Sequence, residues 1–331
     1  MCQTENSTVK HARVVKTLAR RGFRLDQKLG QGGFGAVHQG MCDQYSKPVA
    51  IKVIEFAKDK EGKVKTRDVD GFELEVRALA EAKGSDYVVD LKTAFTVTDG
   101  EKGIIVMELG DGMDLDKYIV KESFKTKKEI MWIGLRIARG IADLHALNTV
   151  HRDLKGGNII LFKGGDDDEF IQVKIVDFGM AAKEGEDQSV GGTLHYMCDD
   201  RIQEYHSREA SAVNKSDDVF AFGCIMMELL GGQKEFTEWN ANRRDFRKSG
   251  ENRPINNTLV FPKRIHNKYP KKMIKTLQQC LHQDAEARPT AVELTRIFEG
   301  KPRRQKKQKR VIEDSSAIAN RLTKRQCNNK N

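Results

Sequence analysis

The stretch VHRDLKGGNII, Val150 to Ile160, places charged chemistry between two apolar runs and decides how the rest of the chain is interpreted. Within it a carboxylate (Asp153), a cation (Lys155) and an amide (Asn158) lie two and three residues apart. Groups held this close together suit a reaction in which charged reactants are positioned and their developing charge is stabilised. The surrounding sequence narrows the choice of reaction.

Upstream, a glycine-rich segment has the form G-x-G-x-x-G-x-V, with Gly30, Gly32, Gly35 and Val37. Dinucleotide-binding folds use the same glycine spacing where a strand leads into a helix. Here the residues after Gly35 alternate apolar and polar like a second strand, which predicts a β-hairpin whose tip brings backbone N–H groups against phosphates. A flexible turn without a ligand is the other interpretation.

One lysine, Lys52, lies in an apolar run that resembles a buried strand, where an unpaired ammonium group would be costly. Apolar residues at spacings of three and four predict a helix over residues 69–82. Glu75 on that helix is the preferred partner for Lys52. Glu73 is less favoured because it would point to a different face of the helix.

Strand-like patterns precede residue 110 and helical patterns follow it, and a length of 331 residues favours two lobes over a single core. Strands are predicted over residues 23–30, 35–41, 47–56, 87–95, 102–109, 158–162 and 171–178. Further helices are predicted over residues 126–147, 215–230 and 289–298. Residues 1–22 show no pattern and are interpreted as an N-terminal extension.

The last chemical motif, Asp177-Phe178-Gly179, ends the strand-like segment 171–178. The motifs are, in chain order, the glycine hairpin, V-A-I-K at residues 49–52, H-R-D-L-K-x-x-N at residues 151–158 and D-F-G at residues 177–179. The chain resembles the eukaryotic-type protein kinases, which carry the same motifs in the same order. The resemblance covers residues 23–298 and implies an α+β, bilobal fold. The N-lobe, residues 23–109, would be β-rich with one main helix, and the C-lobe, residues 110–298, mainly helical.

The resemblance also implies roles for the residues of the opening stretch. Asp153 would accept the proton of the substrate hydroxyl, and Asn158 and Asp177 would hold Mg²⁺ on the phosphates of ATP. Lys155 would neutralise charge on the γ-phosphate, and its presence resembles the Ser/Thr kinases more than the Tyr kinases. Asp218 would brace the catalytic loop through its backbone, although a helix cap is the alternative.

The nucleotide site follows from the same resemblance. Lys52 would hold phosphates while Glu75 fixes its position. Met107 matches the gatekeeper, Glu108 and Leu109 begin the hinge, and Asp114 is a candidate ribose contact. The residues expected to contact the nucleotide are Gly30, Gly32, Gly35, Val37, Ala50, Lys52, Met107, Glu108, Leu109, Asp114 and Ile160.

The activation segment carries the clearest regulatory signal. Arg152, beside Asp153, resembles kinases whose segment is ordered by a phosphate or another anion. Thr193 resembles the threonine that contacts substrate, so Ser189 is the expected phosphosite. Acidic residues 184, 186 and 187 would supply the charge instead, or simply form a solvated loop.

Two departures from the family pattern affect the catalytic segments. Cys198-Asp199-Asp200 stands where the family has A-P-E, and Asp200 is one methylene shorter than the usual Glu. Its expected partner is Arg288. The departure puts substrate docking and the rigidity of the segment in doubt more than ATP chemistry, since no catalytic position is lost. Gly156 and Gly157 are expected to loosen the catalytic loop.

Charge is concentrated at the C-terminus, where residues 301–331 carry eleven Lys or Arg against two acids, a net +9 of the chain's +10. Residues 299–331 are expected to be a disordered basic tail. The run at 301–310 is interpreted as a nuclear localisation signal for an import receptor. Nucleic acid is a possible partner but is not favoured, because the run has no aromatic residues to stack on bases.

Six widely separated cysteines without a C-x-x-C pair favour reduced thiols. No apolar run is long enough to span a membrane, and the N-terminus has no signal-peptide pattern. An intracellular protein of the nucleus or cytoplasm is expected.

The function implied is that of a protein Ser/Thr kinase, which transfers the γ-phosphate of ATP to Ser or Thr hydroxyls of protein substrates with Mg²⁺ as cofactor. Two alternatives stay open. One is a pseudokinase that acts as an ATP-binding or scaffolding module, and the other is a nucleic-acid-associated protein bound through its basic tail.

Overall fold

The structure is a computed structural model that describes residues 12–32, 35–97, 100–121, 126–164, 167–189, 191–208, 210–248 and 259–299. The chain divides into two units, and the first ends at Phe298. The basic run at 301–310 and the rest of residues 300–331 lie outside the described residues, so the predictions made for them stay predictions. The tip of the glycine hairpin, residues 33 and 34, also lies outside them.

The N-lobe is built on a five-stranded antiparallel sheet in the order β1-β2-β3-β5-β4. Its strands are β1 (Phe23–Gly32), β2 (Gly35–Cys42), β3 (Val49–Glu55), β4 (Leu91–Val97) and β5 (Lys102–Glu108). Gly32 pairs with Gly35, so the glycine-rich segment is the predicted hairpin rather than a strand-to-helix turn. The predicted α+β, bilobal fold class is confirmed, because this sheet is followed by a helical C-lobe.

Successive residues of β3 and β5 point to opposite faces of the sheet, and the two faces belong to two different hydrophobic clusters. Ala50 and Ile105 belong to the cluster that includes Phe72 of helix α2 (Thr66–Glu81). Their neighbours Ile51 and Ile104 point to the opposite face, as successive residues of a strand do. The main helix of the lobe therefore covers only one of two apolar faces.

The second face is covered by a helix that the sequence analysis missed. Residues 12–20 form helix α1, and its Val14 and Leu18 are buried in the cluster with Ile51 and Ile104. The interpretation of this part of the N-terminal extension as unpatterned was wrong. Two apolar residues four apart are one turn of an amphipathic helix, too short a signal to detect among charged neighbours.

The C-lobe is organised around two helices. Helix α4 (Lys127–Ala146) buries the predicted face, which consists of Ile130, Ile133, Ile137, Ile141 and Leu144. The other helices are α3 (Leu115–Lys121), α5 (Asp199–Ser207), α6 (Lys215–Leu229), α7 (Gln233–Lys248), α8 (Lys263–Lys268), α9 (Lys271–Cys280) and α10 (Ala291–Phe298). Helix α6 is buried on nearly all sides, which identifies it as the central helix of the lobe.

Short strands of the C-lobe position the catalytic segments. They are β6 (Met113–Asp114), β7 (Thr149–Val150), β8 (Ile159–Gly164), β9 (Asp167–Ile175), β10 (Ala182–Lys183), β11 (Asp187–Ser189) and β12 (Ala210–Ala212). β6, β8 and β9 form one sheet, β7 pairs with β10, and β11 pairs with β12. The β8·β9 hairpin places the end of the catalytic loop beside the start of the D-F-G motif.

Several boundaries differ from those predicted. Helix α2 begins at Thr66 instead of residue 69, and β4 begins at Leu91 instead of residue 87. The four cysteines among the described residues are buried and form no disulfide: Cys42, Cys198, Cys224 and Cys280. Among the described helices, none is both long and apolar enough to cross a bilayer.

Candidate active site

The catalytic loop is fixed to the centre of the C-lobe by Asp218 of α6. Its carboxylate accepts the backbone N–H groups of His151 and Arg152, both at 2.9 Å, and lies 3.0 Å from His145 Nε2. Burial tends to raise the pKa of Asp218, but its hydrogen bond to His145 and the nearby His151 hold the pKa below its ordinary value. Asp218 braces the loop through the backbone, as the resemblance implied.

The side chains of Asp153, Lys155 and Thr193 form a closed triangle of hydrogen bonds. Thr193 Oγ1 donates to Asp153 Oδ1 at 2.7 Å, and Lys155 Nζ donates to Asp153 Oδ2 at 2.7 Å and to Thr193 Oγ1 at 2.9 Å. Asn158 Nδ2 donates to the Asp153 carbonyl oxygen at 2.8 Å. The loop and the activation segment are thus joined at one carboxylate.

Lys52 joins the two lobes. Its Nζ donates to Glu75 Oε1 at 2.6 Å and Oε2 at 2.9 Å, and to Asp177 Oδ1 at 2.7 Å. Burial tends to lower the pKa of Lys52, but the two carboxylates raise it above its ordinary value, so the group stays cationic. Glu73, the less favoured partner, is exposed.

Asp177 and Asn158 meet at the same end of the β8·β9 hairpin. Ile159 pairs with Ile175, and the N–H of Val176 donates to the Asn158 carbonyl oxygen at 3.0 Å. Burial would raise the pKa of Asp177, but Lys52 holds it below its ordinary value, so the carboxylate is ionised. Asp177 has a φ of 65°, an uncommon left-handed conformation at the turn that begins the motif.

A carboxylate and an amide oxygen fit Mg²⁺, which takes few protein ligands and keeps waters and phosphate oxygens as the others. The described residues contain no group of three or more His, Cys, Asp or Glu side chains suited to a metal ion. Two protein oxygens leave most coordination positions to waters and phosphate oxygens, so this donor set suits a metal bound jointly with phosphates. Phe178, next to Asp177, is buried with its ring 4.9 Å from that of His151.

Strand register places several of the expected nucleotide contacts side by side within each lobe. Ala50 pairs with Met107, Val37 pairs with Lys52, and Asp114 of β6 pairs with Ile160 of β8. The apolar members of these pairs come from both lobes: Val37, Ala50 and Met107 from the N-lobe and Ile160 from the C-lobe.

The two acidic residues expected at the nucleotide site have other contacts. The Glu108 side chain accepts from Lys174 Nζ and from the N–H of Asp90, at 2.7 Å in the second case. Asp114 Oδ1 accepts the N–H of Lys117 at 2.8 Å, which caps α3. The Glu108 carboxylate is therefore engaged, and the N–H of Glu108 donates to the Asp90 carbonyl oxygen at 3.0 Å, while Asp114 serves the helix.

The three described glycines of the hairpin are not equivalent. Gly35 has a φ of 133°, and a Cβ atom there would lie 2.3 Å from the Val53 carbonyl oxygen. A side chain at Gly35 is therefore excluded by the sheet itself. Gly30 and Gly32 face open space, so their lack of a side chain keeps room for a ligand rather than for packing.

The paired glycines of the catalytic loop have a reason that the sequence analysis missed. A Cβ atom at Gly156 would lie 1.9 Å from Asp116 Oδ1, and one at Gly157 would lie 3.3 Å from Asp116 Oδ2. The carboxylate of α3 occupies the space that side chains would fill, so these glycines admit a close contact rather than loosening the loop. The pair of glycines was the only sequence signal for this contact, and Asp116 lies about forty residues earlier in the chain.

The expected ion pair between Asp200 and Arg288 is not the one in the structure. Asp200 is exposed in the first turn of α5, whereas Arg288 is buried. The carboxylate that lies 3.6 Å from Arg288 Nη1 is Asp217 of α6. The prediction was wrong because the residue before Asp218 was not considered as a source of charge.

The activation segment is held by backbone pairing near the expected phosphosite. Ser189 lies in β11, opposite Ala210 of β12. Glu184, one of the acidic residues expected to supply charge, is paired with Lys215 at 2.6 Å. Phosphorylation of Ser189 stays a prediction.

The described geometry agrees with what comparisons with known proteins show. The protein kinase domain family matches residues 23–297. Receptor-like serine/threonine-protein kinase SD1-7 of Arabidopsis thaliana is 30% identical over 239 residues, which cover 68% of this chain and 25% of the relative. Cysteine-rich receptor-like protein kinase 19 of the same plant is 30% identical over 302 residues, which cover 82% and 42%.

A third relative, serine/threonine-protein kinase 1 of Arabidopsis thaliana, is 28% identical over 319 residues, which cover 88% of this chain and 33% of the relative. The chain belongs to the protein kinase family. It spans less than half the length of each of these relatives.

Proposed function

We propose that this chain is an ATP-dependent protein Ser/Thr kinase, which transfers the γ-phosphate of ATP to hydroxyl groups of protein substrates. The observation that carries the proposal is the triangle of Asp153, Lys155 and Thr193. It places a base and a cation on one side of the cleft, and the activation segment supplies its third corner. The relatives described above, whose names include serine/threonine-protein kinases, support the same conclusion.

The chain's own groups divide the work of such a transfer. Asp153 orients the substrate hydroxyl and accepts its proton, and Lys155 stabilises the negative charge that develops on the transferred group. Lys52 holds the phosphates and is itself held by Glu75, with which it forms a buried pair. Little covalent chemistry is needed, so positioning and charge stabilisation account for the catalysis.

Asp177 and Asn158 would hold Mg²⁺, which when bound neutralises charge on the ATP phosphates. Their role for the chain is to present two oxygen ligands from one end of the β8·β9 hairpin. The ionised state of Asp177 follows from the neighbouring Lys52.

The pseudokinase alternative is not favoured, because all the catalytic positions carry groups able to act. The changed residues Cys198-Asp199-Asp200 lie outside the triangle and outside the Lys52 pair. No described contact favours nucleic acid as a partner.

Transfer of labelled phosphate from Mg-ATP to a generic basic protein tests the proposal. Asp153→Asn is expected to lower kcat by about 10²- to 10⁴-fold, the usual contribution of a general base, while ATP binding persists. Asp43→Asn makes the same chemical change at an exposed turn and should retain activity. If neither wild type nor Asp153→Asn transfers phosphate although both bind ATP, the proposal is overturned in favour of a pseudokinase.

We propose further that the basic run at 301–310 directs the protein to the nucleus through an import receptor. The support is its charge, which accounts for most of the chain's net charge. Replacing its seven Lys and Arg by Gln in a fluorescent fusion should abolish nuclear accumulation. Unchanged accumulation would refute the assignment.

A further inference from the structure

A partly buried carboxylate that the proposed mechanism does not use, that of Asp217, lies between two arginines. Arg201 Nε donates to Asp217 Oδ2 at 2.7 Å, and Arg288 Nη1 lies 3.6 Å from Asp217 Oδ1. Each oxygen thus faces a different guanidinium group. Asp217 lies in the first turn of α6, directly before the Asp218 that braces the catalytic loop.

The two arginines come from separate parts of the C-lobe. Arg201 belongs to α5, the helix that follows the activation segment. Arg288 precedes α10 and is fixed by backbone carbonyls, since it donates to those of His282 at 2.8 Å and Ser216 at 3.1 Å. These bonds hold the Arg288 guanidinium group in place, and Asp217 links it to Arg201.

Arg201 also holds a strand. Its Nη1 donates to Ser211 Oγ, and its Nη2 donates to the Ala212 carbonyl oxygen at 2.5 Å. Both residues belong to β12, which pairs with β11 of the activation segment through Gln188 and Asp187. The position of β11 depends on a strand that Arg201 anchors.

Both ends of the later activation segment are therefore tied to the same carboxylate. Before Thr193, the chain is paired through β11 to β12 and from there to Arg201. After Thr193, the chain passes through one short 3-10 turn (Leu194–Tyr196) into α5, which carries Arg201 itself. Thr193 hydrogen-bonds to Asp153 from between these two attachments.

We infer that Asp217 is a positioning residue, which by bridging Arg201 and Arg288 holds α5 and β12 in place and so fixes the activation segment where a protein substrate docks. It takes the position beside Arg288 that the sequence had suggested for Asp200. The kinetic part of this inference rests on the proposed kinase activity, whereas the structural part does not.

Two variants with the same chemical change test it in the full chain: Asp217→Asn, and Asp200→Asn as the matched control. Hydrogen exchange is measured for the backbone amides of residues 187–189 and 210–213, and steady-state kinetics are measured with a peptide substrate. Loss of a hydrogen bond to a charged group changes an equilibrium constant by a factor of about 10 to 100. Asp217→Asn is expected to speed exchange and raise the peptide KM by about that factor.

The ATP dissociation constant of Asp217→Asn should stay within about twofold, since neither Asp217 nor its two arginines are among the expected nucleotide contacts. Asp200→Asn should match wild type in every readout. A uniform loss of stability would raise exchange throughout the C-lobe, so faster exchange confined to the two strands separates positioning from general unfolding. If Asp217→Asn does not fold, Arg201→Gln leaves the pair of Asp217 and Arg288 intact and should loosen the same strands.

Unchanged exchange in Asp217→Asn, or in Arg201→Gln where that variant replaces it, would overturn the inference. Equal or greater loosening in Asp200→Asn would do so as well. If wild type transfers no phosphate, the proposed function fails, but the exchange measurement still decides the role of Asp217.

Discussion

Glu75 of α2 accepts both of its hydrogen bonds from a single donor, Lys52 Nζ, in a site where 2% of Glu75 and 4% of Lys52 remain exposed. Neither charge has access to bulk water, so each depends on the other for its stability. Lys52 has a second carboxylate partner in Asp177, which makes the cluster net negative before a nucleotide and metal arrive. This net negative charge would favour the binding of a cation such as Mg²⁺ together with the phosphates of ATP.

Replacing Glu75 by Gln should lower both activity and stability. Lys52 keeps Asp177 as a partner, so we expect a loss of up to about 3 kcal/mol in the free energy of unfolding, at the low end for breaking a buried pair. Urea denaturation measures it. Glu73→Gln, on the exposed side of the same helix, should change stability by less than about 0.5 kcal/mol. Equal effects of the two variants would contradict the assignment of Glu75.

Thr193 is expected to act through its hydroxyl, which both donates to Asp153 and accepts from Lys155. Thr193→Val keeps the shape and removes both bonds, so kcat/KM should fall by about 10- to 100-fold, the value of a hydrogen bond to a charged group. Thr193→Ser keeps the hydroxyl and should retain most of the activity. Full activity of the Val variant would show that the triangle is not needed for transfer.

The sequence predicted those features in which a motif and its partner follow from local pattern. The buried face of α4 and the glycine hairpin are both visible as patterns within a few residues of sequence. A lysine in an apolar strand needs a partner of opposite charge, and Glu75 on the predicted helix provides it for Lys52. The conclusion that the chain has a kinase fold is confirmed by the match over residues 23–297.

The features that were missed depend on pairs far apart in sequence. Asp116 and Gly156 meet only when α3 lies beside the catalytic loop, and Asp217 reaches Arg288 only across the folded C-lobe. Helix α1 was not predicted from the sequence because, in the described part of the chain, Val14 and Leu18 are its only buried apolar residues. In each case tertiary packing supplies information that local periodicity does not contain.

Gly156→Ala should destabilise the protein, because the added Cβ would lie 1.9 Å from Asp116 Oδ1. We expect a loss of about 1–3 kcal/mol, as for other overpacked sites. The double variant with Asp116→Ala should recover part of that loss, and a double-mutant cycle by urea denaturation measures the coupling. Gly71→Ala, in α2 with open space around it, is the control and should stabilise the protein slightly. Strictly additive effects of the two substitutions at residues 116 and 156 would refute the contact.

Glu228 should make stability depend on pH. Burial raises its pKa to about 7 from an ordinary value of 4.5, although the hydrogen bond from Tyr196 Oη at 2.7 Å opposes this. The folded state therefore holds the proton more tightly than the unfolded state, so the stability from this group is complete below pH 4.5 and is lost as the pH rises to about 7. Glu228→Gln should flatten the melting temperature over that window. Glu238→Gln, which is exposed, should leave the profile of the wild type unchanged.

Helix α1 should contribute to the stability of the N-lobe even though the family match begins after it, at residue 23. Leu18 is fully buried against the face of the sheet that α2 does not cover, so Leu18→Ala removes apolar contacts and leaves a cavity. The expected cost is about 2–5 kcal/mol in the free energy of unfolding. Val15→Ala is the matched control one turn away, with 39% of Val15 exposed, and should cost less than about 0.5 kcal/mol. A cost for Leu18→Ala as small as that for Val15→Ala would mean that α1 does not pack on the sheet in solution. The second apolar face of the sheet would then need another cover, because Ile51 and Ile104 would be left facing water.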